Sequence, residues 1–222
     1  MKSPLNLVKS LLAVASVAAL SAVSAAPAWA FTFSNIAGGD TPGDAYVDSF
    51  TFDVFNDGPL VLFKINNSGD SRASNMFISK VFFDDNGYLS GSKVNEGNVG
   101  QVRFNGGPDN DQLPQGGNNF TTDYAFSRDT GDGNGWGIQA DESLGVSFTG
   151  NYTSVMTALS DGTLKLGLHV QALPNDQSDS YISSRSGNTQ DTPEPLTMLA
   201  AGAAVGFGTM FKKQRDQAQK AE

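Results

Sequence analysis

The sequence predicts an all-β fold, a single β-sandwich or jelly-roll-like domain over residues 31–184, with a signal peptide before it and a transmembrane helix after it. Three observations lead there. Apolar and polar residues alternate with a period of two, as in Phe50-Thr51-Phe52-Asp53-Val54-Phe55, which is how a half-buried strand reads. The segments between such runs are dense in Asp, Asn, Gly and Ser, the chemistry of tight turns. No helical pattern is long enough to serve as the crossover of a βαβ unit.

Taken in order, residues 1–30 have the three parts of a secretory signal. Lys2 and Lys9 supply positive charge, and residues 11–23 are apolar apart from small serines. Ala28-Trp29-Ala30 then provides the small-x-small site that a signal peptidase requires, so the mature chain is expected to begin at Phe31. Within the domain, residues 50–55 form a first strand. Asn56-Asp57-Gly58-Pro59 signals a turn into a partner at 60–65, and residues 66–70 are the next turn region. Another strand spans 77–83, ended by the strong turn Asp84-Asp85-Asn86-Gly87. Weaker strands are expected at 99–104, 122–127 and 144–149, a short helix at 152–159, the best strand at 163–173 and a last one at 181–183. Seven to nine short strands of this kind fit a sandwich or jelly roll.

The 222-residue chain carries a net charge of −9 and no cysteine. Disulfides and thiolate metal sites are thereby excluded, though a domain of this size can fold on its core alone. Between residues 31 and 191 there are 20 acidic and 8 basic side chains, a balance that repels phosphate backbones and makes nucleic acid an unsuitable partner.

Several internal residues could carry chemistry. The run Asp129-Thr130-Gly131-Asp132-Gly133-Asn134-Gly135-Trp136-Gly137 places Asp129, Asp132 and Asn134 in a Gly-permitted turn, where their oxygens could ligate calcium; its spacing is not that of an EF-hand. Flanking glycines would let Trp136 stack on a sugar face or plug the edge of the core. His169 is the sole histidine, so a zinc site of two histidines is excluded, and no Gly-x-Ser-x-Gly accompanies it for a nucleophile elbow. Asp84 with Asp85 is accounted for by the turn that contains them, and Asp141 with Glu142 precedes a strand. Asn66, Asn119 and Asn151 begin Asn-x-Ser/Thr triplets that matter only in a glycosylating system. Nothing here reads as an active site, and no cofactor beyond possible calcium is expected.

The chain closes with a polar linker at 185–192 and then Pro193-Glu194-Pro195-Leu196-Thr197, an apolar run rich in Ala and Gly to residue 211, Lys212, Lys213 and Arg215, and a polar tail at 216–222. Counted from Leu196 the apolar run is about 16 residues, or about 24 Å as a helix, slightly under the hydrocarbon thickness. Flanking lysines can snorkel to cover the difference, and the basic cluster stays cytoplasmic, leaving the domain outside. Pro193, Glu194, Pro195, Thr197, the Gly/Ala-rich span and the trailing Lys212, Lys213 and Arg215 together resemble the PEP-CTERM tripartite sorting signal of bacterial surface proteins. Residues 164–171 and 178–181 also resemble the end of many PEP-CTERM surface domains. The resemblance implies processing near Pro-Glu-Pro by an exosortase, a membrane-embedded transpeptidase-like protease. It further implies transient inner-membrane anchoring, a destination at the cell envelope or outside it, and association with exopolysaccharide or biofilm. The expectation is therefore a non-enzymatic surface or matrix protein. The alternatives are a carbohydrate- or calcium-binding module and, third, a secreted hydrolase.

Overall fold

The computed structural model describes residues 29–38, 41–131 and 136–184. Residues 1–28 of the expected signal peptide, the linker, the sorting signal and the tail lie outside the described residues. Among the described residues no helix is long and apolar enough to cross a membrane.

The described residues form ten strands and one α-helix: β1 (Trp29–Asn35), β2 (Phe50–Asp57), β3 (Leu60–Asn67), β4 (Phe77–Asp84), β5 (Ser90–Val94), β6 (Phe104–Pro108), β7 (Tyr124–Arg128), β8 (Glu142–Thr149), α1 (Tyr152–Asp161), β9 (Lys165–Leu173) and β10 (Gln177–Ser183). All pairings between them are antiparallel, and they form one sheet in the order β5-β8-β3-β2-β1-β10-β9-β4-β7-β6. The all-β class is as expected. The two separate sheets of a sandwich or jelly roll are replaced by a single sheet doubled over at β1, because β1 divides its pairing. Trp29 to Thr32 pair with β2, and Phe33 to Asn35 pair with β10. We call the leaf from β5 to β2 the front and that from β10 to β6 the back.

Period-two alternation aims Phe52, Val54, Phe63, Ile65, Val146 and Phe148 from the front leaf at Val81, Phe83, Phe126, Leu166 and Leu168 from the back, all fully buried. Rings meet across the gap: Phe63 is 5.2 Å from Phe83, and Phe148 lies 4.9 Å from Phe83 and 6.2 Å from Phe126, each near edge-to-face. These contacts are what hold the doubled sheet shut.

At the far margin β5 and β6 approach one another without a backbone ladder. The Asn95 side chain takes the place of a strand there: its Nδ2 donates to the Phe104 carbonyl at 2.8 Å and its Oδ1 accepts from the Phe104 N–H at 3.0 Å. Asn98 extends the seam, donating to Asn95 Oδ1 and the Val102 carbonyl while accepting from the Gly145 N–H. The sheet is thus nearly a barrel, joined along its last edge by side-chain amides.

The strand expected at 99–104 is not formed. Val99 makes a single bridge to Ser143, and only Phe104 enters a strand. Gly100, at φ +88°, turns the chain out of the extended region between them. Three strands were not expected: β1, which overlaps the signal-peptide boundary, β5, whose Ser-Gly-Ser-Lys-Val reads as turn chemistry, and β6, which shares only Phe104 with the expected 99–104 segment. The expected helix is α1, started by Asn151 accepting from the Ser154 N–H and stopped by left-handed Gly162.

Candidate functional site

The strand directions give the domain two ends. At one, the chain emerges from Ser184, whose N–H donates to the Thr32 carbonyl at 3.1 Å, one residue beyond the expected mature N-terminus. The β2–β3 turn, the turn after β4 and α1 share that end by register. The segment holding Asp129 and Trp136 follows the other end of β7 and is at the opposite pole.

Arg103 organises this opposite pole. Its carbonyl accepts from the Asp129 N–H at 2.9 Å and its N–H donates to the Trp136 carbonyl at 3.1 Å, so one residue grips both ends of the loop. Its exposed guanidinium carbon sits 4.5 Å from the Trp136 ring centroid, a cation–π contact that covers one face of the half-buried indole. Asp129 Oδ1 accepts from the Gly131 N–H at 3.0 Å, and Oδ2 is 3.9 Å from Arg103 Nη1. Asp132 and Asn134 lie outside the described residues. A guanidinium beside the carboxylate opposes a second cation there, so Asp129 is placed as an Asx-turn residue facing an arginine. Among the described residues no group of three or more His, Asp or Glu side chains is placed to hold a metal. Beside this cluster Arg128 lies 4.7 Å over Phe77, a second arginine-on-ring contact that the sequence did not single out.

His169 is half-buried on β9. Its Nδ1 is 3.1 Å from Ser180 Oγ, and its carbonyl accepts from Ser79 Oγ at 2.9 Å. Ser180 is 1% exposed, so its hydroxyl is out of reach of an external substrate. The pair therefore ties β9 to β10.

The paired carboxylates hold turns. Asp84 accepts from Lys165 Nζ at 2.6 Å and from the Thr121 N–H at 3.1 Å. Asp85 accepts from the N–H groups of Gly87 and Leu89, while its own N–H donates to Asp123 Oδ2 at 2.8 Å. Burial pushes the Asp85 carboxyl above its ordinary pKa, and the neighbouring Asp123 carboxylate adds to the shift. Glu142 bridges the N–H groups of Gln101 and Gln139. The part played by Asp123 was not visible in sequence, because 38 residues separate it from Asp85 and no spacing motif joins them.

Of the expected cleavage-site residues, Ala28 and the residues of the sorting signal (Pro193, Glu194, Pro195, Thr197, Lys212, Lys213, Arg215) lie outside the described residues. Ala30 and Phe31 lie inside β1, opposite Asp53 and Phe52.

No family model matches the chain, and no curated protein matches it. A solved structure described as "pH-induced modulation of Streptococcus parasanguinis adhesion by Fap1 fimbriae" aligns with 75% of this chain and 99% of its own, at 10% identity and a TM-score of 0.37. A likeness so slight carries no argument about fold or function.

Proposed function

We propose that this is an exported, non-enzymatic surface or matrix protein, delivered by its N-terminal signal peptide and processed at the PEP-CTERM-like C-terminal segment by an exosortase-like protease. The observation that supports it is the adjacency of the chain ends. Ser184 N and Thr32 O are 3.1 Å apart, so two segments read as membrane-directed leave the domain from one place. The residues from Ser184 to Leu196 span up to about 40 Å when extended, which keeps Ser184 within that distance of the membrane segment. The buried positions of Ser180, Asp84 and Asp85 favour a domain without catalysis over the hydrolase alternative. The test is replacement of Pro193, Glu194 and Pro195 by alanine, with the mature C-terminus followed by mass spectrometry. Loss of processing is expected; an unchanged C-terminus would reject the sorting role.

A carbohydrate-binding role is the second reading, favoured by the half-buried Trp136 ring at the end of the domain opposite Ser184, where Arg103 covers one face of the indole. Calorimetry with a glycan panel and with calcium decides it, and silence in both removes it.

A further inference from the structure

We infer that hydrolysis of the Ala30–Phe31 bond and folding of the domain exclude one another, so that the signal peptidase must act before β1 docks. The inference rests on the signal-peptide reading above and adds an order of events to it. The bond lies within β1, with Ala30 opposite Asp53 and Phe31 opposite Phe52 in the ladder to β2. The Phe31 ring is 4% exposed and stacks on Phe52 at 5.0 Å with 10° between the planes. A protease must hold the backbone on both sides of the bond it cuts. Here one side is already bonded to a neighbouring strand, and the side chain that follows the bond is inside the core. Presenting it would require drawing Phe31 out of that core and breaking the pairs to β2.

The topology also keeps the bond accessible for long enough. β1 fills the fold line of the sheet, and its second neighbour is β10, the last strand. Until residues 177–184 have emerged, β1 has only β2 beside it, and its Phe33–Asn35 half has no partner strand. At 5–20 residues per second the intervening chain takes on the order of 10–30 s to arrive. The chemistry is simple hydrolysis. Water oxygen bonds to the Ala30 carbonyl carbon, the C–N bond breaks, Ala30 departs as a carboxylate, and the Phe31 nitrogen takes up protons to become an ammonium. The freed strand then keeps its pairs from Phe31 onward and loses those of Trp29 and Ala30.

The experiment uses the full chain, purified folded with its N-terminal segment attached, in detergent micelles with a bacterial signal peptidase. Appearance of a Phe31 N-terminus is followed by mass spectrometry. Phe52→Asp, which removes the surface that β1 docks on, is the unfolded counterpart. Tyr181→Ala, which loosens β10, is a second variant of intermediate stability. Because cleavage tracks the open population, the folded wild type should be cut roughly a hundredfold or more slowly than Phe52→Asp, with Tyr181→Ala between them. Equal rates for all three would overturn the exclusion while leaving the signal peptide intact. Failure to cut any of the three at Ala30–Phe31 would overturn the signal-peptide reading and this inference with it.

Discussion

The outer faces of the two leaves are built from the same kind of strand, yet they end differently. On the back leaf, Phe82 and Ala125 are buried beneath Leu113 and Phe120 from the long connection between β6 and β7, with Ile36 and Ile182 packed alongside. Gly167 makes this possible: a Cβ there would lie 2.8 Å from a Leu113 methyl, so the missing side chain is the socket for the leucine. The cover is pinned by Lys80 to Asp111 at 2.6 Å, by Lys165 to the Asn119 carbonyl at 2.6 Å, and by the carboxylates of Asp84 and Asp123. On the front leaf the corresponding row is Thr51, Asp53, Lys64 and Asn66, half-buried, with Asn66 donating to Asp53 at 2.9 Å. No second apolar cluster forms over it among the described residues. A sheet face is covered where the sequence supplies apolar side chains both on the strand and in a loop able to reach it.

If that contrast is right, perturbations should rank by layer. Phe148→Ala strikes the core that both leaves share and should cost about 3–5 kcal/mol in chemical denaturation, enough to leave little folded protein. Leu113→Ala removes only the back cover and should cost about 2 kcal/mol, near the low end for a buried leucine because the cluster is small. A loss equal to that of Phe148→Ala would mean the cover is part of the main core.

Acid sharpens the comparison further. A carboxyl whose pKa is raised in the fold stabilises the fold when protonated, and that contribution is lost as pH rises through the raised value. Asp85 is such a group, with Asp123 as one cause of its shift. Asp123→Asn keeps an oxygen for the Asp85 N–H and removes the repulsion. The variant should therefore gain on the wild type as pH rises from about 3 to about 7, read from urea midpoints at each pH. A constant gap across that range would count against it.

The front face should respond least. Ser143 and Ser147 are 4% and 3% exposed and their hydroxyls have no hydrogen-bond partner. Ser147→Ala is expected to be neutral or stabilising by up to about 1 kcal/mol, since it deletes an unpaired buried polar group. Thr51→Ala, on the same face, should stay within about 0.5 kcal/mol in the same assay.

The strands that carry the core were legible because their alternation is strong. β2, β3, β8 and β9 come from runs where phenylalanine, leucine, valine or isoleucine recurs every second residue, and β4 from a dense apolar run interrupted by Ser79 and Lys80. β5 was not, because an edge strand needs no apolar face, and its Ser, Gly and Lys residues read as a turn. The division of β1 between two leaves is decided by what lies on either side of it, and no local pattern encodes that. At the candidate site, the prominence of Trp136 and Asp129 was visible, but their partner Arg103 was not. It is placed by backbone bonds to both ends of the loop, an arrangement that sequence spacing does not record. Asp85 does lead into the expected turn, but Asp84 closes β4 opposite Lys165, and the burial and long-range partners of both were not legible.

The amide seam at Asn95 has a mechanical consequence. Elsewhere around the girdle each strand is fastened by a ladder of backbone bonds, as in the eight registered pairs between β2 and β3. Between β5 and β6 the fastening is the Asn95 side chain, extended by Asn98, acting as a clasp, so the girdle has a weakest joint. Swelling of the interior would part the wall there first, peeling β6 from Asn95 while the fold line at β1 acts as a spine.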